Sequence, residues 1–434
     1  MQIIAWQDAS LDQRRAALAR PAADSRAEVF AQAAEVIAAV RSEGDAAVRR
    51  FTTKFGGPAL DDLRVGAAEF RAARAALHSE DIAALECAVA NVSRFHEAQR
   101  SADLSVETMP GVVCERVTRP IGSVGLYVPA GSAPLPSTAI MLAAPARIAG
   151  CPSRAIACPP GADGRVQSSV LVAAELCGVD TVYKMGGAQA IAAFAFGTES
   201  IRKVDKVFGP GSAWVTAAKQ IVAADPMGAA IDLPAGPSEV LVIADESANP
   251  RFVAADLLAQ AEHDVIAQAV LVTTSLRLAQ QVIDSVTAQM TGLTRRSILE
   301  KSIANARCIV VPDLGTAVAV SNEYAPEHLI IQTRDPRGLL AKVSCAGSVF
   351  LGAWSPESIG DYCSGTNHVL PTYGYARSYS GVSLLEFQKR ITVQELSADG
   401  LRGLGPTAIT LSTLEGLDAH GNAVKVRLDS LALA

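Results

Sequence analysis

From residue 120 onwards, short β-branched runs alternate with alanine-rich helical stretches, and this alternation restricts the chain to few folds. Three early runs, at 124–128, 181–185 and 204–208, each lead through a glycine-containing turn into a helix. A second series of the same kind extends from 240 to 351. Strands that alternate with helices are typical of parallel sheets built from βαβ units. The sequence therefore predicts an α/β fold with two Rossmann-like domains, each with a parallel sheet.

The rest of the chain is assigned from its length and its apolar periodicity. The chain has 434 residues, more than one hydrophobic core usually supports. Residues 24–50 and 67–100 are alanine-rich, with apolar side chains at helical spacing. Beyond residue 380 we expect a strand-like stretch and a short helix over Thr407–Glu415, which Pro406 opens. The predicted parts are a helical N-terminal arm, a discontinuous large α/β domain, an inserted α/β domain and a C-terminal tail, at 1–22, at 23–122 with 238–380, at 123–237 and at 381–434.

The composition argues against nucleic acid and membranes as partners. The formal net charge is −6, and the basic residues are not clustered, so polyanion binding is not expected. The longest apolar stretch, 139–149, contains Pro145 and Arg147 and is too short to span a bilayer. The first residues do not have the pattern of a secretory signal. We therefore expect a soluble, cytoplasmic protein.

Several chemistries lose their usual support. The eight cysteines are dispersed without a Cys-x-x-Cys pair, which predicts buried free thiols rather than a disulfide framework. The chain also lacks a P-loop, a Gly-x-Ser-x-Gly elbow and a His-Glu-x-x-His motif. P-loop transferases, α/β-hydrolases and zincin proteases are therefore not favoured.

Polar side chains suited to catalysis are concentrated in the second half of the chain. Gln260 and His263 are three residues apart on a predicted helix, so they share a face and could ligate zinc, or could simply form a polar helix end. Glu327 and His328 stand at the mouth of a strand, where a carboxylate beside an imidazole can divide acid–base work. The alternative for this pair is a polar loop.

The other four histidines differ in their predicted surroundings. His368 lies with Asp361 in a glycine-containing segment after strand 349–351, which is either a ligand loop or a capping turn. His420 lies in a terminal loop that is either solvated or reaches a site, including a neighbouring subunit's. His78 and His96 lie in charged helical stretches and are predicted to face solvent.

Two glycine turns offer backbone N–H groups at helix starts. They are Gly186-Gly187 and Gly209-Pro210-Gly211, and such helix N-termini favour phosphate. Neither turn matches Gly-x-Gly-x-x-Gly. In the second turn, Trp214 stands where the third glycine should be. The turns alone leave a dinucleotide site open.

Taken together, these segments resemble the histidinol dehydrogenase family over nearly the whole chain. The matching stretches are 125–129, 186–190, 232–240, 260–264, 326–329, 365–371, 387–390 and 415–420. The resemblance implies oxidation of L-histidinol through L-histidinaldehyde to L-histidine, the last steps of histidine biosynthesis. It further implies two NAD used in succession, one Zn²⁺ per subunit and a homodimer.

Site residues follow from the resemblance position by position. His328 would remove the alcohol proton, and Glu327 would activate water. The zinc ligands would be Gln260, His263, Asp361 and, from the partner subunit, His420. The substrate would contact Ser238, Gln260, His263, His328, Asp361, His368, Glu415 and His420, with Glu415 also donated across the interface. NAD would contact Tyr127, Gln189 and Ser212, so the inserted domain would bind the nucleotide and the large domain would hold the catalytic and zinc residues.

One departure and four alternatives accompany this interpretation. The family commonly has Asn where this chain has Ser212, which predicts a weaker NAD contact. The alternatives are a paralogue that oxidises another small alcohol, a zinc hydrolase, a thiol-acylating aldehyde dehydrogenase that uses Cys151 or Cys158, and a non-catalytic zinc-binding protein.

Overall fold

The computed structural model describes residues 1–20, 26–130, 133–234 and 236–433, so the predicted boundary at 22–23 lies outside the described residues. The strands are β1 Gln2–Ala5, β2 Leu104–Met109, β3 Val112–Pro120, β4 Ser123–Tyr127, β5 Ser153–Cys158, β6 Val182–Lys184, β7 Lys206–Phe208, β8 Ala230–Ile231, β9 Glu239–Ala244, β10 Gln268–Thr273, β11 Arg307–Val310, β12 His328–Gln332, β13 Ser348–Leu351 and β14 Gln388–Leu396.

The helices cover most of the remaining described chain. They are α1 Leu11–Leu18, α2 Arg26–Glu43, α3 Asp45–Lys54, α4 Ala67–Ala76, α5 Ser79–Glu97, α6 Pro136–Ala149, α7 Ser168–Leu176, α8 Gly187–Phe196, α9 Ala213–Ala224, α10 Pro250–Ala261, α11 Leu276–Met290, α12 Arg296–Ala304, α13 Leu314–Tyr324, α14 Pro336–Leu340, α15 Glu357–Tyr362, α16 Ala398–Leu414 and α17 Asp418–Leu433. Helix α10 has an N-cap, in which the Asn249 side chain accepts from the N–H of Arg251, and Pro250 takes the first helical position.

Two parallel sheets form the centre of the larger compact unit, which comprises 1–99 and 121–387. The first has the strand order β1-β11-β10-β9-β12-β13 and the second has the order β6-β5-β4-β7-β8. Every strand pair in both sheets is parallel. The predicted α/β fold with two parallel sheets is therefore confirmed.

The N-terminal arm contributes a strand as well as its predicted helix. β1 pairs with β11 at the edge of the six-stranded sheet, with Gln2 opposite Arg307. Helix α1 follows and begins with a capping box between Ser10 and Gln13. The arm is thus part of the first sheet.

The helices between 26 and 97 belong with the five-stranded sheet, which differs from the predicted grouping of 23–122 with 238–380. Apolar residues of α2 and α3 share a buried cluster with α8 and α9. Those of α4 and α5 share another with α6 and α7. The reason is that both faces of a parallel sheet must be covered, and these helices cover the sheet that contains β4.

A smaller compact unit comprises 100–120 and 388–434. Its sheet has the order β14-β3-β2 and is antiparallel, with Gln388 opposite Pro120 and Leu396 opposite Val112. The predicted C-terminal tail therefore forms a unit with a hairpin from the segment 23–122, which is predicted to belong to the large domain.

The predicted short helix after Pro406 is wrong in its extent, because Pro406 lies inside the longer α16. A proline at this position removes one backbone hydrogen bond and disfavours the helix. Packing against α17 offsets that cost, and Gly405 makes the approach possible, since a Cβ there would lie 3.0 Å from Leu428 Cδ1.

The structure also bears on the cysteines and on possible membrane-spanning helices. All eight cysteines are free, as predicted, although only Cys151, Cys158, Cys177 and Cys308 are fully buried. Among the described residues, no helix combines the length and apolar character needed to cross a bilayer.

Candidate active site

Glu327 and His328 lie at the start of β12, between β9 and β13. His328 is in register with Val240 on one side and Ser348 on the other. Ala325, with a φ of 52°, turns the chain from α13 toward this strand. The pair therefore sits at the N-terminal edge of the six-stranded sheet, whereas α/β proteins usually bind ligands at the carboxyl edge.

The backbone of Glu239 fixes the orientation of both side chains. Its N–H donates to Glu327 Oε2 at 2.8 Å, and its carbonyl oxygen lies 3.2 Å from His328 Nδ1. Because a carbonyl only accepts, Nδ1 must carry the proton, and Nε2 of the neutral ring then has the lone pair. Nε2 lies 3.4 Å from Asp361 Oδ1 and has no hydrogen-bond partner among the described residues.

Burial and neighbouring charge shift the pKa values of this pair. Burial raises the pKa of Glu327 to about 8. Burial lowers the pKa of His328, but the carboxylates of Glu357, Glu327 and Asp361 outweigh it and leave that pKa well above its ordinary value. The result is an excess of carboxylates around one imidazole, which is an environment that a divalent cation stabilises.

A group of metal-ligating side chains adjoins the imidazole. One ligand atom each of His263, Glu357 and Asp361 lies within 4.8 Å of the others. Gln260 is one turn before His263 and fully buried, and neither its Oε1 nor its Nε2 has a hydrogen-bond partner among the described residues. An unpaired buried amide is costly, so the orphaned Gln260 side chain fits a ligand to a metal ion. Imidazole nitrogen, carboxylate and amide oxygen suit zinc.

The structure adds Glu357 to the predicted set. Asp361 lies on the short helix α15 rather than in the predicted loop, and Glu357 is one turn before it on the same face. Burial raises the pKa of Glu357 to about 8, and its Oε2 has no hydrogen-bond partner in the described chain. The four-residue spacing of the two acids indicates a shared face only in a helix, and the sequence predicts a loop or a turn for the segment that contains Asp361.

His368 connects α15 with a helix of the other sheet. Its Nδ1 lies 2.8 Å from the carbonyl oxygen of Asp361, and its Nε2 lies 3.1 Å from Oγ1 of Thr138 on α6. Ser238 is half-buried just before β9. The substrate contacts of His368 and Ser238 stay predictions.

The prediction for His96 is wrong, whereas His78 is exposed as expected. His96 is fully buried, with Nδ1 2.8 Å from the carbonyl oxygen of Val92 and Nε2 3.4 Å from Nδ2 of Asn367. The same Asn367 Nδ2 donates to the carbonyl of Met141 at 2.7 Å. His96 thus supports the segment that carries His368. Its four-residue spacing from buried Val92 was the overlooked signal.

The predicted NAD contacts lie at the carboxyl edge of the five-stranded sheet. Tyr127 ends β4 and is buried, and its hydroxyl accepts from the N–H of Gly187 at 3.1 Å. Gln189 is buried on α8, with no hydrogen-bond partner for its Oε1 in the described part of the chain. Ser212 is exposed and precedes α9 without a side-chain capping bond. These groups surround two helix N-termini and fit a phosphate-bearing ligand.

A buried ion pair holds the second glycine turn. Asp232 accepts from the N–H of Gly209 through Oδ2 at 2.7 Å and forms an ion pair with Lys219 through Oδ1. Lys219 Nζ also donates to the Gly209 carbonyl at 2.8 Å. Gly209 has a φ of 119°, and a Cβ there would lie 2.1 Å from the carbonyl oxygen of Tyr127. Only glycine fits this turn.

Glu415 and His420 belong to the smaller unit. Both are exposed, with Glu415 capping the end of α16. His420 lies in the first turn of α17, not in the predicted loop. Their roles stay predictions.

The cysteine alternative has no structural support. Burial raises the pKa of Cys151 to about 11 and that of Cys158 to about 12. A cysteine nucleophile needs the opposite shift, because the thiolate is the reactive form.

Comparison with known proteins gives a consistent result. The sequence model of the family described as histidinol dehydrogenase matches residues 18–428. A curated histidinol dehydrogenase of Vibrio cholerae serotype O1 is 55% identical over 434 residues, which cover 100% of both chains. The crystal structure of histidinol dehydrogenase from Elizabethkingia anophelis aligns with a TM-score of 0.94 and 46% identity over 100% of this chain and 99% of its own. A succinate-semialdehyde dehydrogenase from Burkholderia pseudomallei, at 14% identity, a TM-score of 0.51 and coverage of 85% and 90%, is similar in fold alone.

Proposed function

Because this chain belongs to the histidinol dehydrogenase family, we propose that it oxidises L-histidinol through L-histidinaldehyde to L-histidine, with NAD as electron acceptor and one zinc ion per subunit. The observation that carries the proposal is the position of His328. Its unpartnered Nε2 faces Asp361, which belongs to the metal-ligating group, and its Nδ1 is fixed by a backbone carbonyl. A base beside a cation site is what alcohol oxidation requires.

The metal ligands in this proposal are Gln260, His263 and Asp361, with His420 of the partner subunit as the fourth. The unpaired amide of Gln260 and the close approach of His263 and Asp361 support it. Zinc, when bound, supplies positive charge that orients the substrate and stabilises negative charge on oxygen. That charge also opposes the carboxylates around His328 and so favours its neutral, basic form.

In the first oxidation, His328 Nε2 accepts the hydroxyl proton as the carbon loses hydride. The Nδ1–H bond to the Glu239 carbonyl holds the tautomer that this transfer needs. NAD, when bound, is the two-electron acceptor in each oxidation, and Tyr127, Gln189, Ser212 and the glycine turns are its proposed contacts. Loss of hydride converts the aldehyde to the carboxylic acid only after water has added to its carbonyl carbon.

In the second oxidation, Glu327 accepts a proton from the water that adds to the aldehyde. The carbonyl oxygen takes up a proton as the hydrate forms. The hydrate then loses hydride to a second NAD, and His328 Nε2, which has released its first proton to solvent, accepts a hydroxyl proton, so that the carboxylic acid results. A pKa of about 8 for Glu327 places its protonation change near neutral pH, where a general base is effective. His368, Ser238 and Glu415 of the partner subunit are proposed to hold the substrate.

The test is the amount of NADH formed per L-histidinol consumed, with and without prior chelation of metal. We expect two NADH per L-histidinol, because alcohol to acid is a four-electron oxidation. Chelation should abolish the reaction, and added zinc should restore it. If metal-loaded protein makes no NADH from L-histidinol, the reaction is wrong, and other small amino alcohols become the substrates to screen. A zinc hydrolase or a non-catalytic zinc protein would form no NADH from any alcohol.

A further inference from the structure

Glu239 links the two proposed catalytic side chains through one residue of backbone. Its N–H donates to Glu327 at 2.8 Å, and its carbonyl oxygen lies 3.2 Å from Nδ1 of His328. A rotation of this peptide would therefore move both side chains at once. The contacts that hold Glu239 in place therefore matter for both oxidations. Its carboxylate forms its hydrogen bonds with other residues than Glu327 and His328.

The Glu239 carboxylate is held by two partners, Arg20, which is largely buried, and Tyr324, which is fully buried. Arg20 contacts it with both arms, Nε to Oε2 at 2.6 Å and Nη2 to Oε1 at 2.9 Å. The hydroxyl of Tyr324 donates to Oε2 at 3.0 Å. Glu239 is 1% exposed, so water does not compete for these bonds. A bidentate pair with a third donor leaves the carboxylate few orientations.

Arg20 also holds the turn that leads into β12. Its Nη2 donates to the carbonyl oxygens of Tyr324 at 2.8 Å and Ala325 at 3.4 Å, and its guanidinium lies 4.0 Å from the Tyr324 ring centroid. Ala325 is the left-handed residue just before Pro326 and Glu327. One side chain from the N-terminal arm thus joins the start of β9 to the start of β12.

A buried ion pair is a poor way to gain stability, since well-packed apolar residues often do as well. Here the pair lies where β9 and β12 begin, beside the proposed catalytic residues at the start of β12. We propose that Arg20 and Tyr324 are positioning residues, which fix the carboxylate of Glu239 so that its peptide holds Glu327 and His328 in reactive geometry. This inference rests on the proposed function.

The test compares Arg20→Met, Arg20→Lys and Tyr324→Phe with the wild type. For Arg20→Met we expect kcat for both oxidations to fall by about 10- to 100-fold, because small misplacements of reacting groups have effects of this size. KM for L-histidinol and zinc content should stay within about twofold of wild type, because the residue touches neither ligand in the proposed site. Arg20→Lys should recover part of kcat, since it restores charge without the bidentate contact, and Tyr324→Phe should give a smaller loss.

Arg307→Met is the matched control. Arg307 ties the same N-terminal segment to the sheet through the carbonyls of Ala17 at 2.9 Å and Ala19 at 2.6 Å. It does not contact Glu239. If general loosening of the arm were the cause, Arg307→Met would lower kcat as much as Arg20→Met does. We expect it to lower the melting temperature while kcat stays near that of the wild type.

A double-mutant cycle separates positioning from loss of folded protein. In a His328→Asn background, Arg20→Met should cause little further loss of the residual rate of alcohol oxidation, because in that step its effect passes through the missing imidazole. Equal losses in both backgrounds would overturn the inference, and so would a normal kcat for folded Arg20→Met. If Arg20→Met does not fold, Arg20→Lys in the same cycle decides. Wild-type protein that forms no NADH from L-histidinol would instead overturn the proposed function.

Discussion

Asp256 is a carboxylate buried on α10, where it accepts a hydrogen bond from Gln332 Nε2 at 2.7 Å. Burial raises its pKa from the ordinary value to about 7. Between about pH 4 and pH 7 the unfolded chain therefore loses the proton that the folded chain keeps, and stability falls as pH rises through this window. Above pH 7 both states are ionised, and the stability lost over this window stays lost. The side chain thus destabilises the protein at neutral pH.

Asp256→Asn should remove this cost, because the amide oxygen still accepts from Gln332 and carries no charge. We expect the variant to exceed the wild type in free energy of unfolding by roughly 2–4 kcal/mol at pH 8 and to match it near pH 4. Urea unfolding of metal-free protein at both pH values measures the difference. Asp284→Asn is the control, since Asp284 also accepts from a glutamine but on the exposed face of α11. A gain at pH 8 that persists undiminished at pH 4 would contradict the explanation.

The proposed division of labour between Glu327 and His328 predicts different defects. His328→Asn should slow both oxidations by about 10²- to 10⁴-fold with zinc retained, because proton transfer contributes a factor of this size. Glu327→Gln should spare alcohol oxidation and stall the aldehyde step, so that about one NADH forms per L-histidinol. Rapid-quench analysis of the aldehyde, with exposed Glu323→Gln as control, measures this. Full rates for both steps in Glu327→Gln would exclude the water-activating role.

Individual site residues could be predicted where their partners are close in sequence. Local spacing marks Gln260 with His263, and Glu327 with His328, as candidates beside a structural alternative, and the family resemblance supplies their predicted roles. Arg20 and Glu239 could not be paired in this way, because their contact joins the N-terminal arm to a strand more than two hundred residues later. His96 was predicted to face solvent because it lies in a charged helical stretch. Its own helix face continues the buried positions Val89 and Val92.

At the scale of elements, α9 supports the turn that precedes it. Lys219 Nζ pairs with Asp232 and donates to the carbonyls of Gly209 at 2.8 Å and Leu233 at 3.3 Å. The turn places the N-terminus of α9 at the edge where NAD is proposed to bind. Lys219 is 3% exposed, so its charge is held in the interior by these contacts.

Lys219→Met should therefore weaken NAD binding more than substrate binding. We expect KM for NAD to rise by about tenfold and KM for L-histidinol to change by less than about twofold. The melting temperature should also fall, because Asp232 is left buried without its counter-ion, and Asp232→Asn in the same chain should restore it without restoring NAD affinity. Lys203→Met is the control, as Lys203 is exposed and contacts the Met227 carbonyl. An unchanged KM for NAD in Lys219→Met would show that the turn needs no such support.

Element prediction succeeded where the local pattern is strong, and the strand–helix alternation predicted for 240–351 is present as β9 to β13 with helices between them. It failed where distant packing decides. β1 has four residues and is a strand because β11 supplies its partner some three hundred residues later. α16 continues through Pro406 because α17 packs against it at Gly405 and Gly421, where added Cβ atoms would meet Leu428 and Ser412. Local propensity alone favours a break there.

At the scale of the larger unit, the two sheets contribute opposite edges. The proposed catalytic pair lies at the N-terminal edge of the six-stranded sheet, and the glycine turns lie at the carboxyl edge of the other. The hydrogen bond between Thr138 on α6 and His368 joins the two parts. In the proposed function, this arrangement would give the substrate and NAD separate binding surfaces, which suits a reaction that uses two NAD molecules in turn.

At the scale of the proposed homodimer, the question is whether His420 acts in its own subunit or in the partner subunit. Co-expression of His328→Asn and His420→Asn chains with different tags gives heterodimers that tandem purification isolates. If tails are exchanged, one site combines an intact His328 with an intact His420 of the partner subunit, and the heterodimer should have about half the wild-type rate. Each parent homodimer should be inactive, because every site lacks the base or a metal ligand.

The complementary pairing makes this experiment decisive. Wild-type chains are co-expressed with chains that carry both substitutions, so that the heterodimer contains the same altered residues in a different arrangement. With exchanged tails, each of its sites has one defect, and the rate should be close to zero. If His420 acted within its own subunit, the wild-type chain would keep one intact site, and the two heterodimers would exchange their activities. Zinc content follows the same logic, since a site that lacks only His328 keeps its metal ligands and should retain zinc.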